Sequence, residues 1–348
     1  MYSIDSFQNL NIPEYLKRTL ADNSNNSIAQ QTWSAYRTAF NKLATFAAET
    51  GCQVDLPLAE ETTLAFSAWL LNTGVTASTL ETYLSGIRAA HLTAGKNPPK
   101  LRTPLVSAVI QGKKNKDNME KRAGKSTTRL PMTPALLKLM KLELAEDSMR
   151  NHDKKMLWAA ATMAFSGGLR GGEFLCKEKL SFDPATDLRQ KDISLDSFFI
   201  NGTETEVLKL KLKAEKQNKS ASISICDIYP SGNSICPVRA YKRWSDARPF
   251  DNPDLPAFRF ESGENLTIRE LNKCLKKIFS KHLTGINGYI SSHSFRIGLA
   301  SMMGALGFAD EQIMSAGRWS SRAYQTYMKL PRTRRLEMAR AISNLQHN

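Results

Sequence analysis

Ser291-Ser292-His293-Ser294-Phe295-Arg296, then Ala316-Gly317-Arg318-Trp319, then Tyr324-Gln325-Thr326-Tyr327-Met328-Lys329, make up the stretch on which the chain turns. His293 and Arg296 stand three residues apart, one helical turn on the same face, so both side chains can converge on one anion. Upstream, Leu169-Arg170-Gly171-Gly172-Glu173 supplies a second arginine beside a carboxylate, and Lys216 sits in the turn of an expected hairpin. Two arginines, a histidine, a lysine and a tyrosine suit phosphodiester chemistry. The arginines neutralise a tetrahedral phosphate, His and Lys move protons, and the phenol attacks.

Outside that stretch the composition agrees. The 348 residues allow two domains of ordinary size, and with 41% hydrophobic and 23% charged residues the chain reads as globular. Forty-eight basic residues against 33 acidic ones give a net +15, an excess that suits a polyanion because phosphate neutralisation releases counterions. Cys52, Cys176, Cys226, Cys236 and Cys274 are odd in number and scattered, with no C-x-x-C pair, which reads as reduced thiols and no metal site. Neither a signal peptide nor a membrane-spanning apolar run is evident. The expected location is intracellular, the nucleus if the source is eukaryotic and otherwise the cytoplasm or nucleoid.

Read in order, residues 1–26 are polar and taken as a flexible arm or a short lead helix. Trp33, Tyr36, Phe40, Leu43 and Phe46 then recur at spacings of three and four, the stripe of a core-facing helix. A second helix is expected over 59–72. A third opens at the capping box Ser78-Thr79-Leu80-Glu81, with Thr82, Ser85, Arg88 and His91 on its polar side, either facing DNA or merely solvated. A short fourth helix near 103–111 leads into a basic run, 113–130, containing Lys113, Lys114, Lys116, Lys121, Arg122, Lys125 and Arg129. That run reads as a loop between domains.

Thr133-Pro134 is a helix start, N-cap then first residue, and a second helix covers 153–166. The Gly167-Gly168 pair permits a tight turn before Arg170, where a restarting helix lends its N-terminus to an anion. Three strand-like runs follow, 197–201, 206–213 and 220–226, the middle one alternating Leu with Lys. Cys236-Pro237 opens another helix, and Thr267-Ile268-Arg269-Glu270 is a second capping box. Helices are expected from Ser294, from Asp310 to Gly317 and from near Ser320, with an amphipathic terminal helix over 331–348.

The order Arg170, Lys216, His293, Arg296, Tyr327 resembles the tyrosine recombinases, the site-specific integrase family, over roughly residues 165–330. Gly317-Arg318-Trp319-Ser320-Ser321 and Cys236-Pro237-Val238-Arg239-Ala240 resemble its branch in mobile elements of the DIRS and Ngaro type. The resemblance implies a mostly α fold with a small antiparallel β-sheet. It places a helical core-binding domain at 27–112, a basic linker at 113–130 crossing the DNA backbone, and an α+β catalytic domain at 131–330. It implies double-stranded DNA as partner, with Arg88 and the basic run on it, a homotetramer on two synapsed sites, and no cofactor.

The resemblance also assigns roles. Arg170 and Arg296 hold the phosphate, with Glu173 in support, and His293 assists proton transfer or orients the phosphate. Lys216 is the general acid for the leaving oxygen, with Lys213 and Lys219 open as competitors. Relatives carry His or Trp one residue after the glycine and the nucleophile nine further on. From Gly317 this gives Arg318 and Tyr327, and leaves Tyr324 to packing or a backbone contact. Arg318 stands where His or Trp is expected, so either it touches phosphate or Trp319 supplies the indole. Two other functions fit the same residues: a recombinase-derived DNA-binding protein without activity, and a relaxing enzyme like the type IB topoisomerases.

Overall fold

The structure, a computed structural model, describes residues 1–28, 30–98, 100–123, 128–213, 223–249 and 252–327, with the backbone alone at 30, 31, 121, 122, 200 and 327. The chain divides into two compact units, Met1–Ser126 and Thr127–Asn348.

The first unit is helical: α1 (Glu14–Asn26), α2 (Gln30–Thr50), α3 (Glu60–Asn72), α4 (Ala77–Thr93) and α5 (Pro104–Arg122). Its core is the expected stripe of α2, Leu43 and Phe46, closed by Phe66 and Leu70 of α3, Leu80, Leu84 and Ile87 of α4, and Val106 and Ile110 of α5. Phe46 meets Phe66 edge-on at 5.5 Å, one of the arrangements the ring quadrupoles favour.

Four expectations are corrected here. Residues 1–26 are not a free arm: Ile4–Phe7 is a 3₁₀ turn, Ser6 Oγ donates to Thr93 O, and the Tyr2 backbone and the Asn25 side chain exchange two hydrogen bonds of 2.8 and 2.9 Å. The cap of α4 is Thr76, whose side chain accepts from Thr79 N–H, and not Ser78. His91 is fully buried, not part of a polar face. The supposed loop from 113 is helix as far as Arg122, because its charges are used. Lys113 pairs with Asp117 at 3.0 Å and Lys114 with Glu81 of α4 at 3.0 Å, while Asp117 accepts from Ala77 N–H at the start of α4.

His91 receives the Leu58 N–H on Nε2 at 2.9 Å, and its Nδ1 faces Ile87 O at 2.8 Å, so Nδ1 carries the proton. His91→Leu should cost about 1–3 kcal/mol, since it strands a buried backbone donor. Urea denaturation of the variant reads that loss; an unchanged midpoint would exclude it.

In the second unit β1 (Thr128–Arg129) leads to α6 (Pro134–Glu146), capped by Thr133 as expected, then α7 (Asn151–Ser166) and the single turn α8 (Gly171–Phe174). A three-stranded antiparallel sheet follows: β2 (Ile193–Ile200), β3 (Thr203–Leu212) and β4 (Ser224–Ile228), in the order β2-β3-β4. The β2–β3 turn is Asn201-Gly202, both at positive φ, the backbone that two-residue hairpins require. Val207, Leu208, Leu210 and Leu212 are fully buried while Lys209 and Lys211 are not, so the Leu/Lys alternation does mark a half-buried strand.

The unit is completed by α9 (Pro237–Ser245), α10 (Ile268–Phe279), β5 (Gly288–Tyr289), α11 (Ser292–Ala305), α12 (Asp310–Gly317) and a 3₁₀ segment Arg322–Tyr327 in place of the helix expected from Ser320. β1 pairs in parallel with β5. α7, buried along most of its length, forms the axis of the unit, and α9 and α11 pack on it. The terminal helix expected at 331–348 lies outside the described residues. Among the described residues no helix is long and apolar enough to cross a membrane.

Candidate active site

The end of α7 fixes the centre. Gly168 takes φ +54, the left-handed backbone that costs glycine least, and turns the chain so that Leu169 is buried and Arg170 becomes the residue before α8. The Glu173 carboxylate receives Arg170 N–H on Oε2 at 2.8 Å and the Arg170 guanidinium on Oε1 at 2.7 Å, and the side chain is only 1% exposed. Both oxygens of this buried carboxylate are thus hydrogen-bonded, which offsets the cost of taking it out of water.

Two further arginines close on the same turn. Arg296, one turn into α11 and 1% exposed, donates Nη1 to Gly168 O. Arg318, just past α12, donates Nη1 to Gly167 O at 2.8 Å and to Cys226 Sγ at 3.0 Å, and Nη2 to Glu173 Oε2 at 2.7 Å. The carbonyls of Gly167 and Gly168 thus each receive one guanidinium, from Arg318 and Arg296 in turn, and the guanidinium groups of Arg170 and Arg318 share the Glu173 carboxylate. Such an excess of cation in a desolvated place favours an anion. Burial pushes the Cys226 thiol up to about 11 even with Arg318 beside it, so it stays protonated and serves as a neutral acceptor.

Trp319 lies with its ring 4.1 Å from the Arg296 guanidinium carbon, and Tyr324 packs on that ring at 5.5 Å. Tyr324 is fully buried with Ala300 and Ile313, and burial raises its phenol; it is a packing residue. His293 is half-buried in the first turn of α11, one turn before Arg296. Tyr327 closes the 3₁₀ segment that packs on α11 and α12.

The expected residues are therefore divided. Arg170, Glu173, Arg296, Arg318 and Trp319 are brought into one connected cluster, with His293 on the adjoining turn. Lys216 and Lys219 lie outside the described residues. Lys213, their competitor, is spent on structure: Nζ donates to the carbonyls of Pro184 at 3.1 Å and Asp187 at 3.3 Å and pairs with the Asp192 carboxylate. Lys125 also lies outside, and of Lys121 and Arg122 only the backbone is described. Arg88 and Lys116 are exposed, and exposed Arg129 stands over the Tyr289 ring at 5.7 Å.

The anchor at Asp192 carries a pH dependence. Burial would raise this carboxyl, but hydrogen bonds from Lys213 and from the backbone and side chain of Arg189 outweigh it and hold it below its ordinary 3.8. A folded pKa below the unfolded one stabilises above the unfolded value and is lost as pH falls through the folded one. The melting temperature should therefore drop below about pH 4, and Asp192→Asn should flatten that drop; parallel pH profiles for the two proteins would refute it.

Sequence reading did not find the Gly167 and Gly168 carbonyls, Cys226 or the Asp192–Lys213 pair. Backbone acceptors and a lone cysteine leave no pattern in a sequence, and the 21 residues from Asp192 to Lys213 exceed any helical or strand repeat.

A helical first unit followed by a unit with a three-stranded antiparallel sheet and an arginine-lined turn is the fold of the tyrosine recombinases. Solved structures with that fold include the XerH site-specific recombinase bound to a palindromic difH substrate, 14% identical with a TM-score of 0.60 over 89% of this chain and 79% of that one. The Tn1549 transposon integrase in complex with circular intermediate DNA is 14% identical, with a TM-score of 0.56 over 90% and 94%. A lambda integrase dimer bound to a COC' core site is 13% identical, with a TM-score of 0.57 over 90% and 76%. No protein-family model matches the sequence, and no curated protein does.

Proposed function

We propose that this protein is a site-specific DNA recombinase that cuts and rejoins strands through a covalent 3′-phosphotyrosine, with Tyr327 as the nucleophile. The observation that carries the reading is the cluster on the Gly167-Gly168 turn: Arg170 and Arg318 on the carboxylate of Glu173 and Arg296 on the Gly168 carbonyl, beside the segment that ends in Tyr327. The neighbours bound to DNA and the net charge of +15 support DNA as the partner.

In this reading Arg170 and Arg296 hold the non-bridging oxygens of the scissile phosphate and stabilise the charge that grows on them. The Tyr327 oxygen forms a bond to phosphorus as the bond to the 5′ oxygen breaks. The phenol loses its proton with help from His293, and the leaving oxygen gains one from Lys216. A free 5′ hydroxyl then attacks the phosphotyrosine and restores a diester, so no nucleotide or other cofactor is consumed. Strand exchange between two duplexes calls for a homotetramer on two synapsed sites, as in a mobile element that moves by integration.

The test is covalent capture. The protein is mixed with nicked duplexes of random sequence, and adducts that survive detergent are isolated and sequenced. A recurrent sequence joined through its 3′ phosphate supports the reading, and recombination between two copies of it separates a recombinase from a topoisomerase. Binding with no adduct would leave a DNA-binding protein only.

A further inference from the structure

Arg318 occupies the place where the resemblance expects His or Trp, and it faces inward. Its backbone lies in the left-handed region, φ 52 and ψ 47, which is strained for a residue with a Cβ. Such strain persists where the surroundings over-determine it. Here the twist delivers the guanidinium to Gly167 O, Cys226 Sγ and Glu173 Oε2, with 14% of the side chain exposed. The residue after it, Trp319, goes to the face of Arg296.

We infer that Arg318 is a positioning residue that acts through Glu173 on Arg170, and not a ligand of the phosphate. This rests on the function proposed above. Glu173 is shared: Oε1 takes the Arg170 guanidinium at 2.7 Å and Oε2 takes that of Arg318 at 2.7 Å. A carboxylate divided between two cations neutralises neither in full, so Arg170 keeps charge for a phosphate. Without Arg318 the whole carboxylate falls to Arg170, and the ion pair competes with the phosphate for the same donors. Trp319 acts on the other arginine by a different means, holding the plane of Arg296 by cation–π contact. The two adjacent residues thus orient one phosphate-binding arginine each.

The experiment is a double-mutant cycle on single-turnover cleavage. Arg318→Ala, Glu173→Gln and the double variant are compared with the unaltered protein, using the nicked duplex recovered by covalent capture. Rates are taken at saturating protein, at a temperature where circular dichroism shows all four folded, and affinities are measured separately. Arg318→Ala should slow cleavage about tenfold or more in the unaltered protein, with affinity for the duplex unchanged. In the Glu173→Gln protein the same substitution should cost less than about threefold, because the path to Arg170 is already gone.

An equal loss in both backgrounds would show Arg318 acting on the phosphate directly and overturn the inference. So would an unchanged rate with a lowered melting temperature, which is the mark of a purely structural role. If Arg318→Ala does not fold, Arg318→Lys replaces it, since one ammonium cannot span Gly167 O and Glu173 as the planar fork does. No adduct with the unaltered protein would remove the proposed function, a result distinct from either outcome of the cycle.

Discussion

Tyr327→Phe is expected to abolish adduct formation, a fall of about 10³-fold or more, while binding to the same duplex stays within about twofold. The magnitude follows from chemistry: phenylalanine has no oxygen to bond to phosphorus, and Arg170 and Arg296, proposed to hold the phosphate, are untouched. The contrast with Tyr324 sharpens the test. Tyr324 is fully buried against Trp319, and burial raises its phenol further from ionisation. Tyr324→Phe keeps the ring and should keep most of the adduct. Gel analysis of the two variants on a nicked duplex decides between them, and retained trapping by Tyr327→Phe would refute the assignment.

The second large effect is on stability. A Cβ added at Gly298 of α11 would lie 1.9 Å from Met132 O and 2.8 Å from Met132 C. These are backbone atoms with no rotamer to swing aside. The strand-like entry to the unit must then move off α11 and loosen the 2.8 Å hydrogen bond from Met132 N–H to Ser294 O. Gly298→Ala should cost about 2–4 kcal/mol. For a unit of this size that lowers the melting temperature by roughly 5–15 °C. Gly172, which has nothing within 4 Å of an added Cβ, is the control: Gly172→Ala in α8 should be neutral or slightly stabilising. A melting temperature for Gly298→Ala equal to that of the control would show that the close approach does not hold in solution.

What was legible in the sequence follows from the range over which each signal acts. Thr133-Pro134 and Thr267 are local capping signals, and both are caps in the structure. The Leu/Lys alternation of β3 and the stripe of α2 are periodic within one element and appear as read. The spacing of His293 and Arg296 is one helical turn, and α11 supplies that turn.

Failures came where a partner from elsewhere in the chain decides. Lys113 and Lys114 look like a solvated run until Glu81 and Asp117 are placed beside them. His91 looks polar until the Leu58 N–H and the Ile87 carbonyl take both ring nitrogens. For the site, the list of charged residues was readable and their division of labour was not. Whether Arg318 points to solvent or to Glu173 depends on a left-handed backbone that no local motif announces.

The hydrogen bond from Arg318 to Gly167 joins residues 151 apart, and that from Arg296 to Gly168 joins residues 128 apart. Contacts so distant in sequence form only after the intervening chain has been synthesised and folded. A nascent chain halted before α11 and α12 emerge therefore carries Arg170 and Glu173 but neither Arg296 nor Arg318 to close on them. The order of closure is written into the topology: the arginine cluster is completed late, from the far side of the chain.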